Sequence, residues 1–210
     1  MTKQEVITKA ESFIHGGMTR RELNFLYDGV EGRQVCEIGS MLGMSSFVMA
    51  HNCRSITCID TWGESPYDHI KDERTRRVNT AIDEQIRKSL HDKPYTIFLN
   101  NMSDVSIGDR VRSFVGASSD VARELQDGEF DFLLVDGDHS YMGVLNDLLS
   151  YREKVRPQGI IVLHDYGNPE WPGVEDAAHE FLGQFPHQYS ILFKKYRFLA
   201  MTYKIGFPYR

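Results

Sequence analysis

Only three cysteines, Cys36, Cys53 and Cys58, occur in 210 residues, and none of their spacings is that of a metal knuckle. An odd number of thiols, two of them inside apolar runs, excludes a disulfide framework and predicts buried free cysteines in a reducing compartment. Long hydrophobic runs are missing as well. No stretch approaches the roughly 18 apolar residues of a membrane span, and the opening Met-Thr-Lys-Gln-Glu lacks a signal-peptide core. A soluble cytoplasmic protein is expected. Nor is there a basic excess: 24 Lys and Arg stand against 30 Asp and Glu, for a formal charge of -6. That balance argues against a nucleic-acid surface, which needs clustered cations, and favours a small-molecule partner. The one basic cluster, Lys194-Lys195-Tyr196-Arg197, lies between two apolar runs and reads as a solvated hairpin turn. Internal repeats and low-complexity segments are absent, and self-association is left open.

With 41% hydrophobic residues, the chain can bury one substantial core but is short for two, so residues 1–210 are expected to form a single domain. Helical spacing marks residues 3–15 (Val6, Ala10, Phe13) and 20–30 (Leu23, Leu26, Val30) as N-terminal helices covering part of the site. Between them, Gly16-Gly17-Met18 forms either a flexible entrance or an ordinary turn. The period then changes: residues 34–38 are a short apolar run ending at a glycine turn, and 45–51 read as the helix that follows. Residues 55–60 form the next strand, closed by Asp60. A polar connection over 61–93 carries an embedded amphipathic helix on Val78, Ile82, Ile86 and Leu90. Strands follow at 111–115, 130–135 and 159–163, separated by helices near 119–126 and 141–154. After a helix at 174–182, introduced by Pro172-Gly173, the runs 190–193 and 198–203 are joined too tightly for a crossover and should pair as an antiparallel hairpin. The pattern predicts an α/β, Rossmann-like doubly wound sheet, mostly parallel, with an antiparallel strand from the C-terminal hairpin and helices on both faces.

In such sheets the ligand lies beyond the carboxyl ends of the strands, over a glycine turn, with an acid about 20 residues later on the ribose. Gly39, Gly43 and Asp60 have that spacing. A dinucleotide cradle reads Gly-x-Gly-x-x-Gly, whereas position 41 is Met and position 46 is Ser here, which leaves that cradle incomplete. Glu37 also places a carboxylate before the turn, where phosphates would be repelled and an amino group attracted. Those features favour S-adenosylmethionine over NAD.

The run Val35-Cys36-Glu37-Ile38-Gly39-Ser40-Met41-Leu42-Gly43-Met44-Ser45-Ser46 resembles the first motif of class I S-adenosylmethionine-dependent methyltransferases, in the form seen in catechol O-methyltransferase and its bacterial relatives. Gly116-Ala117-Ser118-Ser119-Asp120 resembles that family's adenine segment. The stretch from Phe132 to Tyr141, containing Asp136-Gly137-Asp138-His139, together with Leu163-His164-Asp165, resembles the acidic motifs of the macrolide and sugar O-methyltransferases. The match runs in order from about Thr19 to the C-terminal hairpin. It implies cofactor contacts from Glu37, Gly39, Ser40, Met41, Gly43 and Ser45 in the turn, from Asp60 and Trp62, from Ala117, Ser118 and Ser119, and from Asp136. Within that set Glu37 would hold the methionine part, Asp60 the ribose, and Ser118 with Ser119 the adenine edge. From the residues alone, Ser118 and Ser119 serve equally well as a helix N-cap, and Trp62 as a packing residue.

Methyl transfer to a hydroxyl requires the nucleophile in line with the sulfonium methyl and its proton removed. Asp136 and Asp165 close successive strands on one edge. A divalent cation on Asp136, His164 and Asp165 would acidify the hydroxyl, with His139 as base. The resemblance gives Asp136 and His139 as ligand and base, three residues apart. His164 departs from it, since that metal site ends in acids or amides. Imidazole suits manganese, iron or zinc better than Mg2+, and His164 can instead be a hydrogen-bonded strand-end residue. The leading reading is O-methylation of a sugar, phenol or natural product, yielding S-adenosylhomocysteine. The alternatives are a metal-dependent hydroxylase, since cephalosporin hydroxylases resemble the same motifs, and a non-catalytic S-adenosylmethionine-binding protein. The Asn/Asp-Pro-Pro-Tyr tetrapeptide of amino-directed enzymes is absent.

Overall fold

The computed structural model describes residues 1–63 and 94–204. The embedded helix expected on Val78 to Leu90 lies outside them. Two N-terminal helices, α1 (Lys3–Phe13) and α2 (Arg20–Gly29), each begin with a reciprocal capping box, Thr2 with Glu5 and Thr19 with Glu22. Then β1 (Gln34–Ile38), α3 (Met44–Ala50) and β2 (Ser55–Asp60) form the first βαβ unit. A helix not anticipated, α4 (Pro94–Asn101), precedes β3 (Val111–Val115), and a short α5 (Ser118–Val121) continues as a 3-10 turn to Glu124. The chain continues through β4 (Phe130–Val135), α6 (Tyr141–Tyr151), β5 (Val155–Leu163), α7 (Pro172–Gln184), β6 (Tyr189–Lys195) and β7 (Phe198–Tyr203).

One seven-stranded sheet has the order β3-β2-β1-β4-β5-β7-β6. All pairings among the first five strands are parallel, and β7 runs antiparallel between β5 and β6, so the expected architecture holds. The turn of the hairpin is two residues, Tyr196 and Arg197, both with positive φ, as a tight antiparallel connection needs. Strand β5 starts four residues earlier than expected. Its added half, Arg156-Pro157-Gln158, is exposed and lies opposite a register irregularity, which is where a sheet tolerates proline.

Side-chain alternation explains why both faces are covered. In β1 and β4, Val35, Phe132 and Leu134 point into one apolar cluster with α1 to α4, while Cys36, Leu133 and Val135 point into another with α5 to α7. All three cysteines are buried and free, as expected. The order in which strands are added reverses at β1, which pairs in parallel with both β2 and β4, and so leaves a crevice at their carboxyl ends. The glycine turn and Asp136 both open onto that crevice. Among the described residues no helix is long and apolar enough to cross a membrane.

Candidate active site

Gly39 (φ +90°) and Gly43 (φ +91°) both adopt the left-handed conformation that glycine tolerates without strain. A Cβ on Gly39 would lie 2.1 Å from the Asp136 carbonyl oxygen, so this glycine permits backbone approach between the β1 and β4 ends. At Gly43 it would meet Met102 and Phe98, beneath α4. Both glycines thus serve close packing around the turn. Glu37 is wholly buried, and three hydroxyls donate to it: Ser40 (2.8 Å), Ser45 (2.5 Å) and Ser46. Ser46 was not among the expected site residues.

Burial pushes the Glu37 carboxyl up to about 7, although the bonds from Ser45, Ser46 and Ser40 pull it down. The folded chain therefore holds a proton that the unfolded chain has already lost above its ordinary value of 4.5. More protons on the folded state mean that stability falls as pH rises from about 4.5 through about 7. For a lone group the loss is on the order of 3 kcal/mol. Glu37→Gln removes the ionisation and should flatten the thermal-stability profile between pH 5 and 8. An unaltered profile would show that Glu37 does not titrate in that window.

Asp60 accepts from the backbone N–H of Met41 and from that of Trp62, each at 2.8 Å. A carboxylate has about four acceptor positions, so these bonds fix its orientation and leave capacity for two further donors. Trp62 is buried against Tyr95 and Phe98 and donates its indole N–H to the Met41 carbonyl at 2.6 Å. It therefore braces the turn from behind. At the next strand end, Ala117 is the N-cap of α5 and makes no side-chain cap bond. Ser118 instead donates to Asp147 (2.5 Å), and Ser119 is exposed. The N-cap alternative for the two serines is thereby corrected: Ser118 is the first helical residue, and its hydroxyl is drawn toward α6.

On the other side of the crevice Asp136, His139, His164 and Asp165 place one ligand atom each within 4.8 Å of one another. The Nε2 of His139 lies 3.1 Å from Asp165 and 3.5 Å from Asp136. Its Nδ1 is buried without a hydrogen-bond partner, and its ring stacks on Trp171. Burial disfavours the His139 cation, but the two carboxylates outweigh it and lift the ring to about 9. His164 Nδ1 lies 2.8 Å from Asp136, and its pKa is raised by the same carboxylates against the effect of burial. Asp136 and Asp165, although buried, are held below the ordinary carboxylate range by the two imidazoles. Asp165 has positive φ (55°), and the Asn168 amide donates to it at 2.7 Å. Asp138 is a turn residue, accepting the Ser140 N–H at 2.8 Å.

Glu22 is a fifth member that sequence reasoning missed. One of its oxygens accepts from Thr19 in the α2 cap, and the other lies 3.4 Å from His164 Nε2. The capping box was readable from Thr19-x-x-Glu22, but the contact across 142 residues was not. Through it, α2 is tied to the acidic cluster.

A glycine turn with an acid on the next strand, at the switch point of a doubly wound sheet and facing an Asp/His cluster, forms the ligand crevice expected of a Rossmann-like fold. Residues 36–166 match the family model described as a methyltransferase domain, and the chain belongs to that family. It is an S-adenosylmethionine-dependent methyltransferase. No curated protein matches the chain. Among solved structures it is similar to the O-methyltransferase NovP, with TM-score 0.68 and 16% identity over 96% of this chain and 88% of that one. The O-methyltransferase from Bacillus cereus in complex with SAH gives TM-score 0.61 and 15% identity over 96% and 90%. TomG from Streptomyces achromogenes, an O-methyltransferase involved in tomaymycin synthesis and bound to SAM, gives 0.62 and 13% over 97% and 90%.

Proposed function

We propose that this methyltransferase transfers the methyl group to a hydroxyl of a small molecule, a sugar, phenol or natural product, with His139 as general base. The observation that carries this reading is the His139 ring itself. With its Nε2–H held between Asp165 and Asp136, the acids orient the ring and stabilise its charged form, and the buried, unpartnered Nδ1 is the nitrogen that an acceptor hydroxyl would have to reach. Its place one strand from the glycine turn supports a base facing the proposed cofactor residues Glu37, Gly39, Ser40, Met41, Gly43, Ser45, Asp60, Trp62, Ala117, Ser118 and Ser119, with Asp136, also proposed to meet the cofactor, beside the base. The N-terminal helices would cover the acceptor, since α2 reaches His164 through Glu22. The O-methyltransferase names of the structural neighbours agree with a hydroxyl acceptor.

Asp136, His164 and Asp165 fit a divalent cation. Two carboxylates with imidazole nitrogen close by suit manganese, iron or zinc better than Mg2+. The carboxylate of Glu22 on the far nitrogen of His164 is the outer contact that fixes a ligating histidine's tautomer. Such a cation would lower the pKa of the acceptor hydroxyl and offset the negative charge that raises His139. The same donor set favours, as the second reading, a hydroxylase using a redox metal.

Calorimetric titration with S-adenosylhomocysteine and with NAD, with and without Mn2+ or Mg2+, tests the reading. Saturable binding of S-adenosylhomocysteine, no binding of NAD, and Mn2+ binding tighter than Mg2+ are expected. Binding of NAD alone would contradict the cofactor assignment, and Mg2+ preference would contradict the donor-set argument.

A further inference from the structure

Asp147 is a buried acid with no cation beside it among the described residues. It projects from α6 in a neighbourhood of Val144, Leu148 and Tyr151, and is 4% exposed. A carboxyl in such a place destabilises the fold unless a partner repays its desolvation. Its hydrogen-bond partner is the Ser118 hydroxyl, at 2.5 Å. One turn further along α6, Tyr151 donates to the Ser118 carbonyl at 2.7 Å. Asp147 and Tyr151 thus grip one serine by its side chain and by its backbone. Ser118 opens α5 directly beyond β3, whose last residue, Val115, pairs with Asp60, so it shares a rim with the ribose acid.

We propose that Asp147 is a specificity-determining residue of the cofactor site, which selects adenine over a 6-oxo purine by fixing the hydrogen-bond polarity of Ser118. The inference rests on the reading that Ser118 meets the adenine edge. An ionised carboxylate can only accept, so in that form the single Ser118 proton is spent on Asp147, and the serine oxygen offers lone pairs to anything else. A donor satisfies those lone pairs, and the 6-amino group of adenine is one. The 6-oxo group of hypoxanthine places acceptor against acceptor, and a buried polar mismatch of this kind is where strong discrimination arises. Burial lifts the Asp147 carboxyl to about 7 while the Ser118 bond lowers it, and because a protonated carboxyl can itself donate, the fixed polarity belongs to the ionised form and the affinities are compared at pH 8. Tyr151 prevents the serine from turning away.

The test is calorimetric affinity for S-adenosylhomocysteine and for its deaminated analogue, S-inosylhomocysteine. The unmodified protein is expected to prefer the adenine compound by about 30-fold. In Asp147→Asn the amide can donate to Ser118, so the hydroxyl proton is released toward the base, and the preference should fall to about 3-fold or less, mainly through weaker adenine binding. Asp147→Ser, which also removes the obligate acceptor, is measured in parallel, with the thermal transition of each variant as the check on folding. Ser118→Ala separates two failures. If it leaves both affinities unchanged, Ser118 is not at the adenine edge and the underlying reading fails. If it abolishes the preference while both Asp147 variants keep it, the role of Asp147 is overturned.

Discussion

Replacing His139 with alanine is expected to lower methyl transfer by ~100- to 10,000-fold, the usual range for a lost general base, with S-adenosylhomocysteine affinity unchanged. The separation of effects follows from position. His139 contacts Asp136, Asp165 and Trp171, and none of the hydroxyls or amides that shape the cofactor turn. The pH dependence carries a second signature. A base works only when neutral, and the two carboxylates raise this ring to about 9, so kcat/KM should climb with pH through the neutral range toward that value. A cation on the carboxylates reduces their pull, and saturating Mn2+ should move the rising limb to lower pH. Steady-state kinetics of both proteins across pH 6 to 10 check this. Full activity in His139→Ala would remove the base assignment, and an equal loss of cofactor affinity would mean that the ring's role is structural.

Gly39→Ala is expected to cost at least about 3 kcal/mol and to abolish cofactor binding in whatever fraction folds. The added carbon would stand 2.1 Å from the Asp136 carbonyl oxygen, 2.4 Å from its carbon and 2.7 Å from the Gly137 Cα. All three are backbone atoms, which cannot swing aside as a side chain could, and φ of +90° is strained for alanine in addition. To relieve the clash the β1 and β4 ends must separate, and the turn lies on one while Asp136 and His139 follow the other. Gly17→Ala is the control, because nothing lies within 4 Å of its added carbon, and its effect should stay within about 0.5 kcal/mol. Urea denaturation of the two variants measures the contrast. Similar midpoints for both would show that the crevice is looser than its packing indicates.

The sheet was legible because its strands carry local signals: short apolar runs, the first four of which end at a glycine or an acid. The glycine turn and the Asp136, His139, His164, Asp165 cluster were legible because residues that follow neighbouring parallel strands converge on one sheet edge. What escaped is long-range. Glu22 announces itself as a helix cap, and nothing local reveals that its second oxygen faces His164. Asp147 stands in an otherwise apolar helical stripe, and its partner Ser118 lies 29 residues away on another element. Helix α4 was missed because it is held by contacts of Phe98 and Tyr95 with Trp62, which periodicity over eight residues cannot display. The glycines were found for one reason and serve another. Gly39 and Gly43 fit a ligand-approach pattern, while in the fold they admit a neighbouring backbone and an overlying helix.

The central claim is that the glycine turn and the Asp/His cluster form one methyl-transferring site. Its most direct test is incubation with S-adenosylmethionine deuterated on the methyl group and a panel of hydroxylated sugars and phenols, with products read by mass spectrometry. The account predicts an acceptor that gains one trideuteromethyl group on oxygen, with formation of S-adenosylhomocysteine and dependence on His139. A product that instead gains a single oxygen atom, with the methyl group still on its sulfonium, would contradict it.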